Sequence, residues 1–350
     1  MILIADPIYN IITFPDSFRK IIDHPYLQRL RRIKQLGTAF LVYPSANHTR
    51  FEHSIGTAYL AGLIADALEL NKEKYMLAGL LHDIGHGPFS HVSEYVLYYE
   101  TGLKHEDISV NKIRDMKDVI SDLGYDHNEI IKEITGKGKG IVAGDLDADK
   151  LDYLQRDAYF TGNFIGINNI FYLVHNFVLK DKLLIKEKAV PLTETVLLSR
   201  VMMFRTVYLH KTSVSASLLL ENSIKNLLNY YKPEEIYNMD DYKLIEELRR
   251  LEDRYYLKFE NRDLPKLVIS VSLDRFVEYN KKIYEELSEE LSGLVSDGVF
   301  IWPRDKPKLK LFKNIKVLSE GEVKSINEVS SLINNIVEIE KKAYNFRVYL

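Results

Sequence analysis

The chain has 350 residues, of which 46% are hydrophobic and 28% are charged. At roughly 150 residues per domain, this length predicts two domains or one domain with a large appendage. The composition excludes disorder and collagen-like structure as the main class. The 47 basic and 50 acidic residues leave a net charge of −3, so any site for a polyanion has to be built locally.

The cysteine count and the amino terminus indicate where in the cell the protein is expected to lie. The sequence contains no cysteine, which excludes disulfides, thiolate metal ligands and cysteine nucleophiles. The first residues, Met1 to Pro7, lack the basic segment that begins a signal peptide. The sequence also lacks a run of about 18 uncharged apolar residues that could span a bilayer. We therefore expect a soluble cytoplasmic protein without a membrane partner.

Helical periodicity dominates roughly the first 230 residues. Apolar residues repeat at helical spacing over 27–36, after Pro25, and stop at Gly37. Small apolar residues over 55–70 predict a buried helix, and the pattern resumes over 72–83, before two glycines and a proline end it. Further helices are predicted over 90–99, 105–120, 128–134 and 149–158, and a long one over 192–231, which lacks glycine and proline.

The pattern changes after about residue 232. Short apolar or alternating runs predict strands over 267–271, 299–302, 308–312 and 346–350. Helical patterns separate them over 242–251, 273–292 and 330–336. We therefore predict a mainly α fold, with a helical domain over residues 1–231 and a smaller α+β carboxy-terminal region over 232–350.

Histidine is concentrated in one part of the chain. Six of the ten histidines lie between positions 48 and 105, and imidazole is both a common metal ligand and the side chain that titrates near neutrality. The sequence from Leu80 to Pro88 places His82 beside Asp83 where an apolar helix ends. Nitrogen and carboxylate donors without sulfur suit a borderline divalent ion such as Mn, Fe, Ni or Zn.

Two ligands do not make a metal site, so further donors are expected elsewhere in the chain. His53 and an acid from the segment Asp145–Asp149 are the candidates. A shell of two imidazoles and two carboxylates leaves positions for water and a substrate phosphate, as metal-assisted hydrolysis requires. The alternative for the acidic segment is a solvated turn in which one Asp caps the next helix. For His48, packing or surface exposure is the more ordinary interpretation.

Three other patterns suggest different classes of site. The loop Gly136–Gly140 is rich in glycine and lysine but lacks the spacing of a phosphate-binding loop, so an exposed loop is expected. His82–His86 resembles the zinc-protease pattern H-E-x-x-H, but Asp replaces Glu and glycines break the helix that the pattern needs. The basic run Arg304–Lys313 favours an edge strand protected by lysines; contact with nucleic acid or a regulatory phosphate is the alternative.

Several motifs together resemble those of the HD-domain phosphohydrolases. The motifs that agree in order and spacing are Ile33–Gly37, Pro44, His48–Ser54, His82–His91, His105-Glu106, Asp149–Tyr153 and Arg156-Asp157. The resemblance covers roughly residues 5–215 and is strongest to the deoxynucleoside-triphosphate triphosphohydrolase (dNTPase) branch, to which the vertebrate antiviral dNTPase belongs. In that branch water attacks the α-phosphorus, and the products are a deoxynucleoside and inorganic triphosphate.

The resemblance implies a role for each matching residue. The residues that match the metal ligands are His53, His82, Asp83 and Asp149. His105 and His91 match the active-site histidines, Glu94 is placed to orient one of them, and Arg50 belongs with these catalytic residues. The residues that match phosphate contacts are Arg50, His86, Lys150 and Arg200. Those that match the deoxyribose pocket are Gln35, Leu36, Tyr153, Asp157 and Tyr208.

A second resemblance concerns regulation. Asp23, Gln28 and Arg31 match a site that binds a guanine-nucleotide activator, GTP or dGTP, although Ile2 stands where that site has a basic residue. An ordinary charged helix face is the alternative interpretation. Because such sites lie between subunits in the family, the resemblance implies a homodimer or homotetramer.

The sequence therefore predicts a metal-dependent hydrolase that converts deoxynucleoside triphosphates to deoxynucleosides and triphosphate. We expect one divalent transition metal, with Mg²⁺ accompanying the nucleotide, and no nucleic-acid partner. One alternative is another phosphohydrolase on the same core, such as a nucleotidase, a diphosphate-releasing enzyme or a cyclic-nucleotide phosphodiesterase. The other alternative is a regulatory protein that binds GTP or dGTP with vestigial turnover.

Overall fold

The structure, a computed structural model, describes residues 1–163, 169–272, 300–302, 314–341 and 345–350.

The chain begins with a β-hairpin that was not predicted from the sequence. Strands β1 (Ile2–Asp6) and β2 (Asn10–Phe14) pair antiparallel. One face of β2 is buried in the core, and the Asp6 carboxylate accepts hydrogen bonds from the main-chain N–H groups of Ile8 and Tyr9 in the turn.

Helices form most of the described chain, so the prediction of a mainly α fold is confirmed. They are α1 (Arg19–Ile22), α2 (Pro25–Arg29), α3 (Arg50–Ala67), α4 (Lys72–Leu81), α5 (His91–Thr101), α6 (His105–Asp115), α7 (Lys117–Ser121), α8 (His127–Ile134), α9 (Ala148–Thr161), α10 (Ile170–Val174), α11 (Val190–Met203), α12 (Lys211–Leu227), α13 (Pro233–Asn238), α14 (Asp241–Arg250), α15 (Arg254–Glu260), α16 (Ile326–Val329) and α17 (Ser331–Lys341). Among the described helices, none has the length and apolar character needed to cross a membrane. The centre of the fold is α3, which packs against both α4 and α9.

Two further sheets join distant parts of the chain. The first has the order β3 (Phe177–Leu179), β4 (Leu183–Lys186), β7 (Lys316–Ser319) and β8 (Glu322–Ser325), with β4 and β7 parallel. The second has the order β5 (Leu267–Ser272), β9 (Asn345–Tyr349) and β6 (Phe300–Trp302). The predicted helix over 273–292, the predicted strand over 308–312 and the whole basic run Arg304–Lys313 lie outside the described residues. The domain boundary at residue 231 stays a prediction.

The predicted helix over 27–36 is wrong in its second half. Helix α2 ends at Arg29 and is followed by a 3₁₀ turn over Leu30–Arg32. Ile33 is extended, and its carbonyl accepts a hydrogen bond from the Arg50 N–H at 2.9 Å. The apolar residues have helical spacing, but the backbone groups after residue 32 form hydrogen bonds with the segment before α3 instead of within a helix. This pairing keeps the residues that follow Ile33 close to the start of α3.

The predicted long helix is interrupted between α11 and α12. A π-helical turn over Phe204–Tyr208 separates them, and such turns are frequent at functional sites. The Tyr208 hydroxyl donates a hydrogen bond to Asp157 Oδ2 at 2.8 Å, and Arg347 Nη1 donates to the Leu209 carbonyl at 2.6 Å. Side chains from distant elements therefore stabilise a break that no glycine or proline marks.

A buried arginine joins the amino-terminal hairpin to α9. Arg156 is fully buried, and its Nη1 donates to Asp6 Oδ2 at 2.8 Å. Its Nε and Nη2 each donate to the Asp152 carboxylate at 2.9 Å. Since both carboxylates are also buried, this cation neutralises two charges that have no access to water.

Replacing Arg156 by leucine is expected to lower the free energy of unfolding by about 3–5 kcal/mol, because two buried carboxylates lose their counter-charge. Urea unfolding followed by circular dichroism measures this change. The matched control is Arg19→Leu, which removes an exposed ion pair with Asp16 and should change stability by less than about 0.5 kcal/mol. Equal changes in the free energy of unfolding for the two substitutions would contradict the role of Arg156 as the counter-charge of the two buried carboxylates.

Candidate active site

The pair His82 and Asp83 lies at the carboxyl end of α4, in the interior of the protein. Both side chains are less than 10% exposed. His82 Nδ1 lies 2.7 Å from the Gly79 carbonyl. Because a carbonyl oxygen only accepts, the ring proton is on Nδ1 and the Nε2 lone pair is directed away from the helix.

His53 is held on α3 by a carboxylate from α9. His53 Nδ1 lies 2.8 Å from Asp152 Oδ2, and both side chains are fully buried. This approach depends on Gly56, because a Cβ atom there would lie 1.9 Å from Asp152 Oδ1. The hydrogen bond fixes the tautomer of His53, so that its Nε2 lone pair is also available.

Four donor groups converge between α3, α4 and α9. His53 Nε2 lies 3.2 Å from His82 Nε2, 3.1 Å from Asp149 Oδ1 and 3.7 Å from Asp83 Oδ2. His82 Nε2 lies 3.4 Å from Asp83 Oδ1. Two imidazole lone pairs and two carboxylates therefore face one small space, and His53, His82 and Asp83 form a group that could hold a metal ion.

The electrostatics of this space favour a cation. Burial lowers the pKa of His53, but hydrogen bonds to Asp149 and Asp152 outweigh burial and raise the pKa to about 10. Burial opposes ionisation of Asp83, but His82, His86 and Arg50 hold its pKa well below the usual range. The same excess of negative charge that favours a proton on His53 Nε2 also favours a divalent transition metal, whose binding would release that proton.

A second cluster lies on the other side of Asp83. Glu94 bridges two histidines, with Oε1 2.9 Å from His105 Nδ1 and Oε2 2.8 Å from His91 Nδ1. Burial lowers the pKa of His105, but the hydrogen bond to Glu94 outweighs burial and raises it. His105 Nε2 points towards the first cluster, 4.0 Å from Asp83 Oδ1. This arrangement favours the charged form of His105 at the edge of the donor cluster.

His86 lies between the two clusters. Its ring stacks on that of His105 with centroids 3.8 Å apart and an angle of 16° between the planes. Burial, the Arg50 charge and the His105 charge all lower the pKa of His86. With His91, Glu94 and His105 it forms a second group whose donor atoms lie within 4.8 Å of one another, although each Glu94 oxygen already contacts an imidazole.

Arg50 contacts the donor cluster, and two further cations lie on α9 and α11. Arg50 Nη1 donates to Asp83 Oδ2 at 2.6 Å and Nε donates to Ser90 Oγ at 2.9 Å, so the guanidinium is fixed. Lys150 Nζ lies 2.7 Å from Asp147 Oδ2, an interaction that directs it along the start of α9. The Arg200 guanidinium is buried and lies over the Phe204 ring at 4.7 Å.

Aromatic and polar side chains from the π-helical turn and α9 extend the site. The Tyr153 ring lies 6.4 Å from that of His53 and 6.4 Å from that of Tyr208. Asp157 accepts hydrogen bonds from the Tyr208 hydroxyl and from His48 Nε2, each at 2.8 Å. The fold thus joins the metal-type cluster to a tyrosine-lined surface with a fixed carboxylate.

Two protein-family models together match most of the chain. The HD domain matches residues 50–157, and the HD associated region matches residues 170–350. The chain belongs to the HD-domain phosphohydrolases. The first match contains His53, His82, Asp83 and Asp149, and the second includes the two sheets formed by β3 to β9 and the carboxy-terminal helices.

Relatives of this HD-domain protein cover both parts of the chain. An uncharacterized protein of Methanocaldococcus jannaschii is 34% identical, over 100% of this chain and 79% of its own length. The deoxynucleoside triphosphate triphosphohydrolase SAMHD1 homolog of Dictyostelium discoideum is 30% identical, over 85% of this chain and 66% of its own length. The crystal structure of a hypothetical protein from Aquifex aeolicus matches with a TM-score of 0.82 and 30% identity, covering 99% of this chain and 96% of that one. The similarity to the Dictyostelium discoideum dNTPase homolog supports the dNTPase branch of the family.

The remaining predicted residues of this HD-domain protein lie further from the donor cluster. The main chain of Gln35 donates to the His48 carbonyl at 3.0 Å, and Leu36 is partly buried against the core. Arg31 Nε donates to Gln28 Oε1 at 2.9 Å on the surface of the α2 region. Asp23 is exposed at the end of α1. The structure thus gives the proposed regulatory residues an accessible surface, and their role stays a prediction.

Sequence reasoning missed the residues of this HD-domain protein that support the ligands. Asp152 fixes His53, and Arg156 in turn holds Asp152. Their positions three and seven residues after Asp149 put all three on one face of α9. This spacing could have identified Asp152 as the carboxylate behind the metal ligand. His48, interpreted from sequence as a packed or surface histidine, is buried and contacts Asp157.

Proposed function

We propose that this protein hydrolyses deoxynucleoside triphosphates to deoxynucleosides and inorganic triphosphate. The observation that carries the proposal is the juxtaposition of a cation-attracting His/Asp cluster with a charged histidine and a tyrosine-lined surface. A metal-type site alone would suit many hydrolases. A proton donor next to it and a surface suited to a sugar favour cleavage of a phosphate ester in a nucleotide.

The proposed ligands of one divalent ion are His53, His82, Asp83 and Asp149. Their nitrogen and oxygen donors suit Mn, Fe, Ni or Zn, and Mg²⁺ is proposed to enter with the nucleotide. When bound, such an ion lowers the pKa of a coordinated water and offsets negative charge on the phosphoryl group. Asp152 and the Gly79 carbonyl keep both imidazoles in the tautomer that ligation needs.

His105 is proposed to act as the general acid. The charged imidazole can give its Nε2 proton to the leaving 5′-oxygen while Nδ1 stays hydrogen-bonded to Glu94. The second Glu94 oxygen contacts His91, which keeps the carboxylate oriented. His91 is more exposed than His105, so it can exchange protons with solvent.

Replacing Glu94 by glutamine is expected to move the alkaline limb of the pH–kcat profile to lower pH. The glutamate raises the pKa of His105, so the wild-type acid stays protonated to a higher pH than ordinary histidine. Without the carboxylate the proton is lost earlier, and turnover at alkaline pH falls. Steady-state rates from pH 5 to 10 measure the shift. An unchanged alkaline limb would argue against His105 as the acid.

Phosphate binding is assigned to Arg50, His86, Lys150 and Arg200. Arg50 is held rigidly by Asp83 and Ser90, so it offers its remaining donors at a fixed place. Together with a metal ion, Arg50, Lys150 and Arg200 would concentrate positive charge in one pocket. This explains how a chain with a net charge of −3 can bind a substrate with about four negative charges.

The sugar is proposed to lie against Tyr153 and Tyr208. A tyrosine ring close to C2′ leaves no room for a ribose 2′-hydroxyl, and the Asp157 carboxylate can accept a hydrogen bond from the 3′-hydroxyl. Gln35, near His48, is proposed as a second partner of the 3′-hydroxyl, and Leu36 as an apolar wall. The hydrogen bonds of Asp157 to Tyr208 and His48 fix its position before substrate binds.

Incubation of the metal-loaded protein with dGTP is expected to give deoxyguanosine and triphosphate in equal amounts. Anion-exchange chromatography with ³¹P NMR identifies the phosphate product directly. Parallel reactions with GTP measure the selectivity for deoxyribose, and the Asp83→Ala variant reports any contaminating phosphatase. Orthophosphate or diphosphate as the product would favour another phosphohydrolase. Tight dGTP binding without any product would favour a nucleotide sensor.

We also propose a homodimer or homotetramer that GTP or dGTP activates at Asp23, Gln28 and Arg31. The exposed position of Asp23 and Arg31 supports access by a nucleotide or a second subunit. The aliphatic Ile2 gives this site one fewer cation than the family pattern. Light scattering with and without GTP tests the oligomeric state. Turnover of another dNTP with and without GTP tests the activation.

A further inference from the structure

Arg29, the last residue of α2, joins the turn that follows α4 to a distant segment of the chain. Its side chain is buried, with the whole residue 8% exposed. Its Nη2 donates to the Ile84 carbonyl at 3.2 Å and to the His86 carbonyl. Its Nη1 donates to the Met239 carbonyl at 2.6 Å, in the segment between α13 and α14. One planar guanidinium therefore connects three segments.

A second buried nitrogen donor acts on the same turn. Lys112, on α6, donates from Nζ to the Ile84 carbonyl at 3.2 Å and is 5% exposed. Among the described residues, neither Lys112 nor Arg29 forms an ion pair with a carboxylate. Burial lowers the pKa of Arg29 to about 10 and that of Lys112 to about 6. Arg29 is thus a desolvated cation that hydrogen-bonds carbonyls of this turn, at a cost in solvation free energy, whereas burial favours the neutral amine of Lys112.

The turn that they hold carries His86, which has weak polar contacts of its own. His86 Nε2 lies 3.5 Å from Asp83 Oδ1, too far for a strong hydrogen bond. Neither ring nitrogen has a hydrogen-bond partner among the described residues. The place of the imidazole between Asp83 and His105 is therefore set by its ring stacking and by the backbone of the turn. The bond from Arg29 to the His86 carbonyl acts on that backbone directly.

The opposite side of the turn leaves little room for adjustment. A Cβ atom at Gly85 would lie 2.1 Å from the His105 carbonyl, so the turn packs directly on the start of α6. Ser109 Oγ donates to the His82 carbonyl at 2.8 Å and accepts from the Gly85 N–H at 2.9 Å. With α6 on one side and Arg29 on the other, the backbone of the turn is fixed from both directions.

We propose that Arg29 is a positioning residue for the reaction, which acts through the backbone of His86. It holds the turn over residues 84–86 against α6, so that His86 stays stacked on His105 and next to Asp83. The inference rests on the proposed function, because it assumes that His86 and His105 serve turnover. A residue that only stabilised the fold would change the folded fraction but not the turnover of each folded, metal-loaded molecule.

The test compares full-length, metal-loaded Arg29→Gln and Arg29→Lys with wild type. The matched control is Arg32→Gln, since Arg32 is a nearby exposed cation that also joins this region to the start of α14, through Asp240. Steady-state kinetics with dGTP give kcat for each bound metal ion and KM. Hydrogen–deuterium exchange detected by mass spectrometry reports on the peptide over residues 84–90. Metal analysis and thermal unfolding accompany each variant.

Arg29→Gln should lower kcat at least tenfold with KM within threefold of wild type, unchanged metal content and faster exchange over 84–90. Arg29→Lys should be intermediate, because it keeps the charge but loses the planar fork that reaches several carbonyls. Arg32→Gln should match wild type. Unchanged kcat or unchanged hydrogen–deuterium exchange in Arg29→Gln overturns the inference. If Arg29→Gln does not fold, the same two measurements on Arg29→Lys test the inference. If the wild-type protein releases no product from dGTP, the proposed function fails. The inference about Arg29 is then tested by hydrogen–deuterium exchange over 84–90 and by turnover of bis(p-nitrophenyl) phosphate in the same variants.

Discussion

Replacing Asp83 by alanine is expected to abolish hydrolysis and metal binding together, while the chain remains folded. Its two oxygens lie 3.4 Å from His82 Nε2 and 3.7 Å from His53 Nε2, and one of them also fixes Arg50 at 2.6 Å. The substitution therefore removes a proposed ligand and releases a phosphate-binding cation. We expect turnover to fall at least about 10³-fold, equivalent to about 4 kcal/mol of transition-state stabilisation.

Inductively coupled plasma mass spectrometry and dGTP turnover test the Asp83→Ala prediction, with circular dichroism to confirm the fold. The matched control is Asp145→Ala, because Asp145 is an exposed acid close in sequence to Asp149 and has no place in the donor cluster. The control should keep both metal and activity. Full activity of Asp83→Ala would refute the metal assignment, and loss of activity with full metal content would give Asp83 a different role.

The helices that position the site were largely predictable, because their signals are local. The boundaries of α4, α8 and α14 differ by one or two residues from the predicted ranges, since apolar periodicity and the residues at their ends act within one element. The hairpin of β1 and β2 and the sheet that joins β4 to β7 were not predicted. Short strands depend on partners far along the chain, and a five-residue apolar segment does not identify its partner.

Within the site, the residues proposed to carry the chemistry form motifs that are visible in the sequence, whereas the residues that hold them in place do not. His82 and Asp83 are adjacent, so their motif is visible in the sequence. Arg29 bonds to carbonyls 55, 57, 208 and 210 residues away. Any residue type provides a carbonyl, so no pattern of side chains marks such an interaction. The π-helical turn that directs Tyr208 to Asp157 is hidden for the same reason.

Replacing His105 by alanine is expected to lower kcat by about 10²–10⁴-fold, the usual contribution of a general acid, while metal and nucleotide remain bound. Metal should remain because His105 Nε2 lies 4.0 Å from Asp83 Oδ1, and the four proposed ligands keep their supports in Asp152 and the Gly79 carbonyl.

Single-turnover rates, equilibrium binding of dGTP and metal content separate the possible roles of His105. The matched control is His175→Ala, because His175 is exposed and its Nδ1 contacts the helix backbone at the Phe171 carbonyl, away from the donor cluster. Loss of the metal in His105→Ala would make His105 a ligand, and full turnover would assign the acid to another group. Added imidazole should restore part of the rate in His105→Ala but not in Asp83→Ala, since its protonated form, imidazolium, can replace a proton donor but cannot rebuild a ligand carboxylate.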